Sequence, residues 1–535
     1  MKKFGRLLAL LLVMALLLVM ALLTGCAGFT SALKGTTMVR YEDMEYVRPD
    51  MGRLQQALEA ACTAAQSEDV KAVIDAVYAF YDEYDGFYTN YSLADIRTCH
   101  DLTDLYWEEE YAYCMEKASA AEAALEELYC TLADSPCREA LEGEQYFGAD
   151  FFDAYEGESM YDEGFMALLD REAELMGEYY ELSSLGAEYE YGSWEYYDAC
   201  GDDMVALLVD LIALRQEIAA YWGYESYPQF ANDFFFYRDY SIDQAERYLA
   251  EVTEHLVPIY TELDWEHTWE LWERYCTEDE TFSFVKKTAK NMGGIFQEAF
   301  SLLDAAGLYD ISWGQNKYNA SFEVYLTSYY EPFVFMNPER NRYDCLTFAH
   351  EFGHFCNDYA SYGSYAGVDV LEFFSQGMEY LSLCYGEETE DLKQIKMADS
   401  LSIFVEQSAF ASFEQRMYAL SGEELTAENL CELYMKTAGE FGLELQGHDS
   451  REFVSITHFY TNPMYILSYI FSNDAAMQLY QLEQEESGAG LALFEENLDS
   501  QEAWFLAFLE TVGLESPFTQ GRVEQIAATF RATLE

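Results

Sequence analysis

The chain has 535 residues, with 98 acidic against 29 basic side chains and a formal net charge of −69. Such a charge keeps a protein soluble and argues against nucleic acid or anionic lipid as a partner for its surface. With 51% hydrophobic residues and only 8 Pro, the chain is not disordered, and it is long enough to fill a large core in two lobes or more.

Lys2, Lys3 and Arg6 precede an uncharged apolar run from Leu7 to Leu23, closed by Leu23-Thr24-Gly25-Cys26. A basic start, an apolar middle and small residues before a break describe a secretory signal over residues 1–25. The ending resembles a bacterial lipoprotein signal, in which Cys26 becomes the lipidated first residue. An uncleaved membrane helix is the competing reading, because the apolar run approaches spanning length. Both readings place the residues after Cys26 outside the cytoplasm, with membrane contact through the N-terminal anchor. Setting Cys26 aside leaves 11 of the 12 Cys, an odd number with no short-period framework. They read mostly as small buried hydrophobes rather than as disulfides.

Residues 26–49 read as a tether. Beyond them, Met51–Gln66, Asp69–Tyr84, Leu105–Leu132 and Phe165–Leu182 carry Leu, Ala, Tyr and Phe at three- and four-residue spacing among acids, which predicts amphipathic helices. These form an N-terminal helical lobe over residues 50–199, ahead of a catalytic region over residues 200–535. Met204–Tyr224 predicts a further helix stopped at Gly223. Ile242–Leu263 predicts another, capped by Ser241 and kinked or cut short by Pro258. The β content is small: Ser321–Ser328 alternates with period two, and Pro332–Asn337 is a second short strand. Such a hairpin is either ordinary buried structure or an exposed edge to which an extended peptide could add.

The most informative stretch is His350-Glu351-Phe352-Gly353-His354. On a helix, residues four apart lie about 40° apart around the axis and roughly 6 Å apart along it. Two imidazoles so placed hold two corners of a tetrahedral zinc ion, and Glu351 lies near the open position where a water binds. Zinc lowers that water's pKa towards about 7, and a carboxylate takes its proton as it attacks a carbonyl. With only 7 His in the chain, coincidence is a poor account of the pattern. Asp344 is a candidate cap for this helix, and Leu346, Phe348, Phe352 and Phe355 supply its apolar surround. Cys345 and Cys356 flank the motif without being needed as ligands.

A zinc site takes a third protein ligand. The next predicted helix, starting near Asp369, offers Glu372 and Glu379 on one face, roughly 10 Å apart along the axis. One ion can take only one of them directly; the other orients a histidine through its second ring nitrogen. We assign Glu372 as the ligand and Glu379 as that outer partner.

His350-Glu-Phe-Gly-His354 followed by Val370-Leu-Glu-Phe-Phe-Ser-Gln-Gly-Met-Glu379 resembles the thimet oligopeptidase and oligoendopeptidase F family of zinc metallopeptidases. The family's Phe-Val-Glu-x-Pro-Ser-Gln-x-x-Glu segment carries the third ligand in its first glutamate, which the match at Ser375 and Gln376 maps to Glu372. Two departures stand out: the gap from His354 to Glu372 is shortened through the Ser361–Gly367 loop, and Asn357 stands where the family often has a further histidine. Leu211–Tyr224 resembles a family segment ahead of the catalytic region. Downstream, His458-Phe-Tyr-Thr-Asn-Pro463-Met-Tyr465-Ile-Leu-Ser-Tyr469 resembles the family's histidine and tyrosine-rich helix, with Pro463 suited to a first helical turn. There, phenol and imidazole N–H groups serve the oxyanion that forms on the attacked carbonyl.

The resemblance therefore implies a mainly α, two-lobed metallopeptidase with a deep substrate cleft and a small β-sheet beside the zinc helix. It implies Zn2+ on His350, His354 and Glu372, Glu351 as general base, and His458, Tyr465 and Tyr469 as oxyanion donors. Short unfolded peptides are the expected substrates. A non-catalytic peptide-binding lipoprotein on the same scaffold and a dipeptide-releasing carboxypeptidase are the alternatives. His100, His255, His267 and His448 have no partner spacing of interest, and no phosphate-binding loop or serine-nucleophile elbow is present.

Overall fold

The computed structural model describes residues 38–143, 146–156, 163–185, 189, 193–363, 366–443 and 448–534. The signal segment, Cys26 and the first part of the expected tether lie outside these residues. The protein is 71% helical with one three-stranded sheet, as the helical periodicity requires.

Helices α1 (Met51–Ala64), α2 (Val70–His100) and α3 (Leu105–Ala133) pack on one another to form the N-terminal lobe. Each starts on an aspartate whose carboxylate accepts a backbone N–H, Asp50 from Gly52, Asp69 from Ala72 and Asp104 from Tyr106. Helix α2 runs 16 residues past the expected stop at Tyr84. Gly86 suggests an end there, but Phe87, Tyr91, Leu93 and Ile96 continue the buried stripe, and their burial outweighs the ~1 kcal/mol that a helical glycine costs. The expected tether also ends early. Met44 is 2% exposed, its carbonyl accepts from Arg97 at 2.7 Å, and the Tyr41 ring lies 4.3 Å from that of Phe333.

Helix α4 (Glu163–Leu185) packs against α5 (Asp202–Tyr221), and Tyr179 stacks on Tyr460 at 4.0 Å. It therefore sits with the C-terminal body, not with the first lobe where periodicity alone had grouped it. The expected boundary at 199/200 falls within a continuous helical run, where a π turn at Tyr197–Gly201 leads straight into α5. Gly223 ends the next turn at φ +79°, as anticipated. Ser241 and Gln244 cap each other's backbone at the start of α6 (Ile242–His255). The expected continuation to Leu263 breaks at Leu256, and Pro258 occupies the first turn of α7 (Val257–Glu262), where its missing N–H is no loss.

After α8 (Glu278–Met292) comes the sheet, ordered β1 (Tyr309–Asp310), β3 (Glu331–Met336), β2 (Ser321–Leu326). β1 joins β3 in parallel and β2 joins it antiparallel. Phe322 lies opposite Phe335 with stacked rings 4.8 Å apart. β2 stops two residues short of Ser328, because the chain turns at Thr327–Tyr329 and Tyr330 takes a left-handed conformation. Central β3 is wholly buried, whereas β2 is an edge strand and mostly half-buried.

Behind the sheet lie α9 (Asp344–Ser361), α10 (Val368–Tyr385), α11 (Glu390–Ser402), α12 (Ser408–Met417) and α13 (Ile466–Glu485). Helix α10 is buried along nearly its whole length, between α9 and α13. Asp344 does not cap its own helix. Its carboxylate accepts from the backbones of Glu339, Arg340 and Asn341, folding the preceding loop, while the Asn341 side chain accepts from the N–H groups of Tyr343 and Asp344. No disulfide joins the described cysteines. Among the described residues no helix is long and apolar enough to cross a membrane.

Candidate metal centre and active site

Gly353, in the middle of the His-Glu-x-x-His stretch, is a point of close approach between α9 and α10. A Cβ there would meet the Phe374 carbonyl oxygen at 2.5 Å, Ser375 Cα at 2.7 Å and Met378 Cβ at 2.9 Å. The absence of a side chain lets the two helices approach until ligands from both can share one ion. His350 and His354 project from α9 with ring centroids 5.1 Å apart. Together with Glu372 of α10 they present one donor atom each, all within 4.8 Å of one another. His350 Nε2 is 3.6 Å from Glu372 Oε2.

The two candidate carboxylates separate in space. Glu372 faces both histidines, whereas Glu379, two turns further on, accepts the Nδ1–H of His350 at 2.8 Å. With Nδ1 so held, Nε2 is the ring nitrogen turned towards Glu372. The other oxygen of Glu379 takes Lys396 Nζ at 2.8 Å. Burial opposes charge on Glu379, but Lys396 and His350 hold its carboxyl below the usual value. Burial likewise opposes charge on His350, yet the Glu379 bond and the nearby carboxylates raise it to about 9. Burial and the neighbouring His350 push His354 down.

Glu351 is 5% exposed. Burial raises its carboxyl to about 7, against the lowering effect of His350 and of a hydrogen bond from Ser321 on β2. The edge strand packs against α9 beside this glutamate. Cys345 and Cys356 are fully buried and outside the donor group. Asn357 donates to the Leu498 carbonyl at 2.7 Å, anchoring α9 to a later loop.

The oxyanion candidates lie across from Glu372. Tyr465 donates to Glu372 Oε1 at 2.9 Å, and Tyr469 and His458 Nε2 share a hydrogen bond at 3.3 Å. The rings of Tyr465 and Tyr469 are 5.0 Å apart, and that of His458 is within 5.7 Å of both. Burial depresses His458 to about 4 and raises both phenols, so all three are neutral near pH 7 and able to donate. Pro463 does not enter the first turn of α13, which begins at Ile466. Met464 takes φ +70° instead, and Tyr465 precedes the helix. Met464 is buried and held from both sides: its N–H donates to Glu414 of α12 at 2.8 Å, and its carbonyl accepts from Arg238 at 2.8 Å.

Three buried cations serve the site and escaped the sequence reading. Arg238 pairs with Asp369 at the start of α10, and also donates to Ser468 on α13. Arg215 donates to the carbonyls of Phe459 and Tyr460, next to His458, and pairs with Glu172. Lys396 is the third. Their signal in the sequence is a basic residue set among apolar or aromatic neighbours, as in Phe234-Phe-Phe-Tyr-Arg238 and Ile395-Lys396-Met-Ala.

Residues 41–159 match the family profile of the Peptidase M3 N-terminal domain, a stretch that stops short of α4 and does not include the metal centre. Comparison with curated proteins returns no match. Among solved structures, PZ peptidase A with an inhibitor superposes at TM-score 0.76 with 17% identity, over 92% of this chain and 99% of that one. A protein of Bacillus anthracis described as an oligoendopeptidase F superposes at 0.75 with 18% identity, over 94% and 98%. Oligoendopeptidase-F of Enterococcus faecium gives 0.53 with 13% identity, over 90% and 96%. The chain therefore carries an N-terminal segment of the M3 peptidase type and has, over nearly its whole length, the fold of the oligoendopeptidases F.

Proposed function

We propose that this protein is a zinc-dependent endopeptidase of short, unfolded peptides, working outside the cytoplasmic membrane and tethered there through a lipidated Cys26. The observation that carries the reading is the convergence of His350, His354 and Glu372, with Glu351 on the same helix and a trio of neutral donors opposite. Two imidazoles and a carboxylate are the donor set of a catalytic zinc site; tetrahedral zinc needs donors roughly 3.3 Å apart, and here His350 Nε2 and Glu372 Oε2 stand 3.6 Å apart with all three donors within 4.8 Å. When bound, the ion supplies Lewis-acid polarisation of the peptide carbonyl and acidifies water.

The chain's own residues do the rest. Glu379 holds Nδ1 and so orients the His350 ring with Nε2 turned to the ion's place, where metal binding would displace the Nε2 proton. Glu351 takes the proton of the attacking water and passes it to the leaving amine nitrogen. Tyr465, Tyr469 and His458 donate to the oxygen that gains charge as the carbonyl becomes tetrahedral. The outer edge of β2, unpaired among the described residues and packed against the helix that carries Glu351, offers backbone groups to an extended substrate with little demand on its side chains. Pairing of that kind favours extended chains over folded proteins. The basic, apolar, Leu-Thr-Gly-Cys start of the sequence supports the anchored location.

Incubation of a mixed peptide pool with and without chelator, with product mapping, tests the reading. Internal cleavage that chelator abolishes is expected. A non-catalytic peptide-binding protein leaves the pool intact, and a carboxypeptidase releases only C-terminal dipeptides. Glu351→Gln is expected to retain zinc and lose cleavage; an active Glu351→Gln enzyme overturns the assigned base.

A further inference from the structure

Lys396 has no exposed surface, in a chain where acids outnumber bases more than threefold. A lysine gives up strong hydration to be buried and does so only against specific partners. Those partners form one continuous path across three helices. Lys396 Nζ on α11 lies 2.8 Å from Glu379 Oε2 and 3.4 Å from Asp399 Oδ2, and 4.9 Å from the centre of the Tyr380 ring. The remaining Glu379 oxygen holds His350 Nδ1. On the other side, Asp399 accepts from the Tyr343 hydroxyl at 3.2 Å, and Tyr343, the residue immediately before α9, stacks on Trp272 at 3.8 Å. The ammonium therefore grips α9 twice, at its first turn through Asp399 and Tyr343, and at its metal-facing histidine through Glu379.

We propose that Lys396 is the positioning residue of the metal centre: by fixing the plane of the Glu379 carboxylate and the start of α9, it sets the orientation of the His350 ring and with it the affinity for zinc. The inference rests on the zinc reading above and goes one layer beyond it. A carboxylate bound at one oxygen only can rotate about its last side-chain bond and carry the imidazole with it. A carboxylate bound at both oxygens cannot. Outer partners of metal-binding histidines typically change metal affinity about 10- to 100-fold when removed, and Lys396 acts through such a partner.

The test uses the full chain and zinc itself, in competition with a fluorescent chelator, for the wild type, Lys396→Met, Lys396→Arg, Glu379→Gln and the Lys396→Met/Glu379→Gln pair. Thermal unfolding of each metal-free protein runs alongside. Lys396→Met is expected to bind zinc at least ~10-fold more weakly, with Lys396→Arg recovering most of the loss. The double variant is expected to match Glu379→Gln within about threefold, because the two residues act along one path. Wild-type affinity in a folded Lys396→Met protein overturns the proposal. So does a double variant markedly weaker than Glu379→Gln. That second comparison stands even if Lys396→Met alone does not fold, since the pair removes both charges of the Lys396–Glu379 contact and leaves Asp399 its bond from Tyr343. Failure of the wild type to bind zinc at all overturns the zinc reading instead.

Discussion

The contact at Gly353 gives a prediction whose sign is not obvious. Replacing a helical glycine by alanine ordinarily stabilises by about 1 kcal/mol. Here the added methyl would sit 2.5 Å from the Phe374 carbonyl oxygen, about 0.9 Å inside ordinary contact distance in a close-packed interior. Two of the three nearest atoms are backbone of α10, which cannot swing aside as a side-chain tip would. Overpacking of this kind costs about 1–3 kcal/mol, and the rigid partner puts this site at the upper end. The steric cost therefore wins, and Gly353→Ala is expected to lose about 2 kcal/mol of stability net. Relief comes by moving α10 away from α9, which separates Glu372 from the two histidines. Metal–ligand distances tolerate roughly 0.2 Å, so zinc affinity is expected to fall at least ~10-fold. Urea unfolding of the metal-free protein and chelator competition for zinc read the two effects. An alanine variant as stable as the wild type, with unchanged zinc affinity, would refute the argument from close approach.

Other outcomes are as specific. Tyr465→Phe removes a hydroxyl that touches Glu372; kcat is expected to fall about 100-fold with zinc retained, and an unchanged kcat removes Tyr465 from the chemistry. Arg238→Met strands the buried Asp369 carboxylate and frees the Met464 carbonyl, and thermal and urea unfolding should register a loss of about 3–5 kcal/mol; a loss under about 1 kcal/mol contradicts the role given to this pair. His458, held near 4 by burial, stays unprotonated in the folded protein while an unfolded histidine titrates near ~6.5. Between those values the unfolded chain binds the extra proton, so stability is lost as pH falls from about 6.5 to about 4. In His458→Gln, the stability lost between pH 7 and pH 4.5 should be smaller than in the wild type by about 2–3 kcal/mol; equal acid losses in the two proteins refute the assignment.

The candidate metal-binding stretch was legible because its information is local. Residues four apart on a helix face one way whatever surrounds them, and a short strand pattern announced β2 and β3. Choosing between Glu372 and Glu379 was not a local matter, since both lie on one face of α10. What separates them is how that helix packs against α9, at the close range that Gly353 allows. The run-on of α2 past Gly86 and the packing of residues 40–48 depend on long-range burial, which no short window contains. For Arg215, Arg238 and Lys396 the apolar neighbours in sequence hint at burial, but the acids and carbonyls that hold them are distant in the chain and no short window contains them. Pro463 looked like the first turn of a helix, but Met464 takes the left-handed turn because Glu414 and Arg238 grip its backbone.

The edge position of β2 carries a consequence for what the enzyme leaves behind. A guest strand held by main-chain bonds repeats its pairing every two residues: a slip of one turns every side chain to the opposite face, while a slip of two restores the same facing and the same bonds. A single long peptide should therefore yield a ladder of nested fragments rather than one clean cut, with rungs favouring a spacing of two residues.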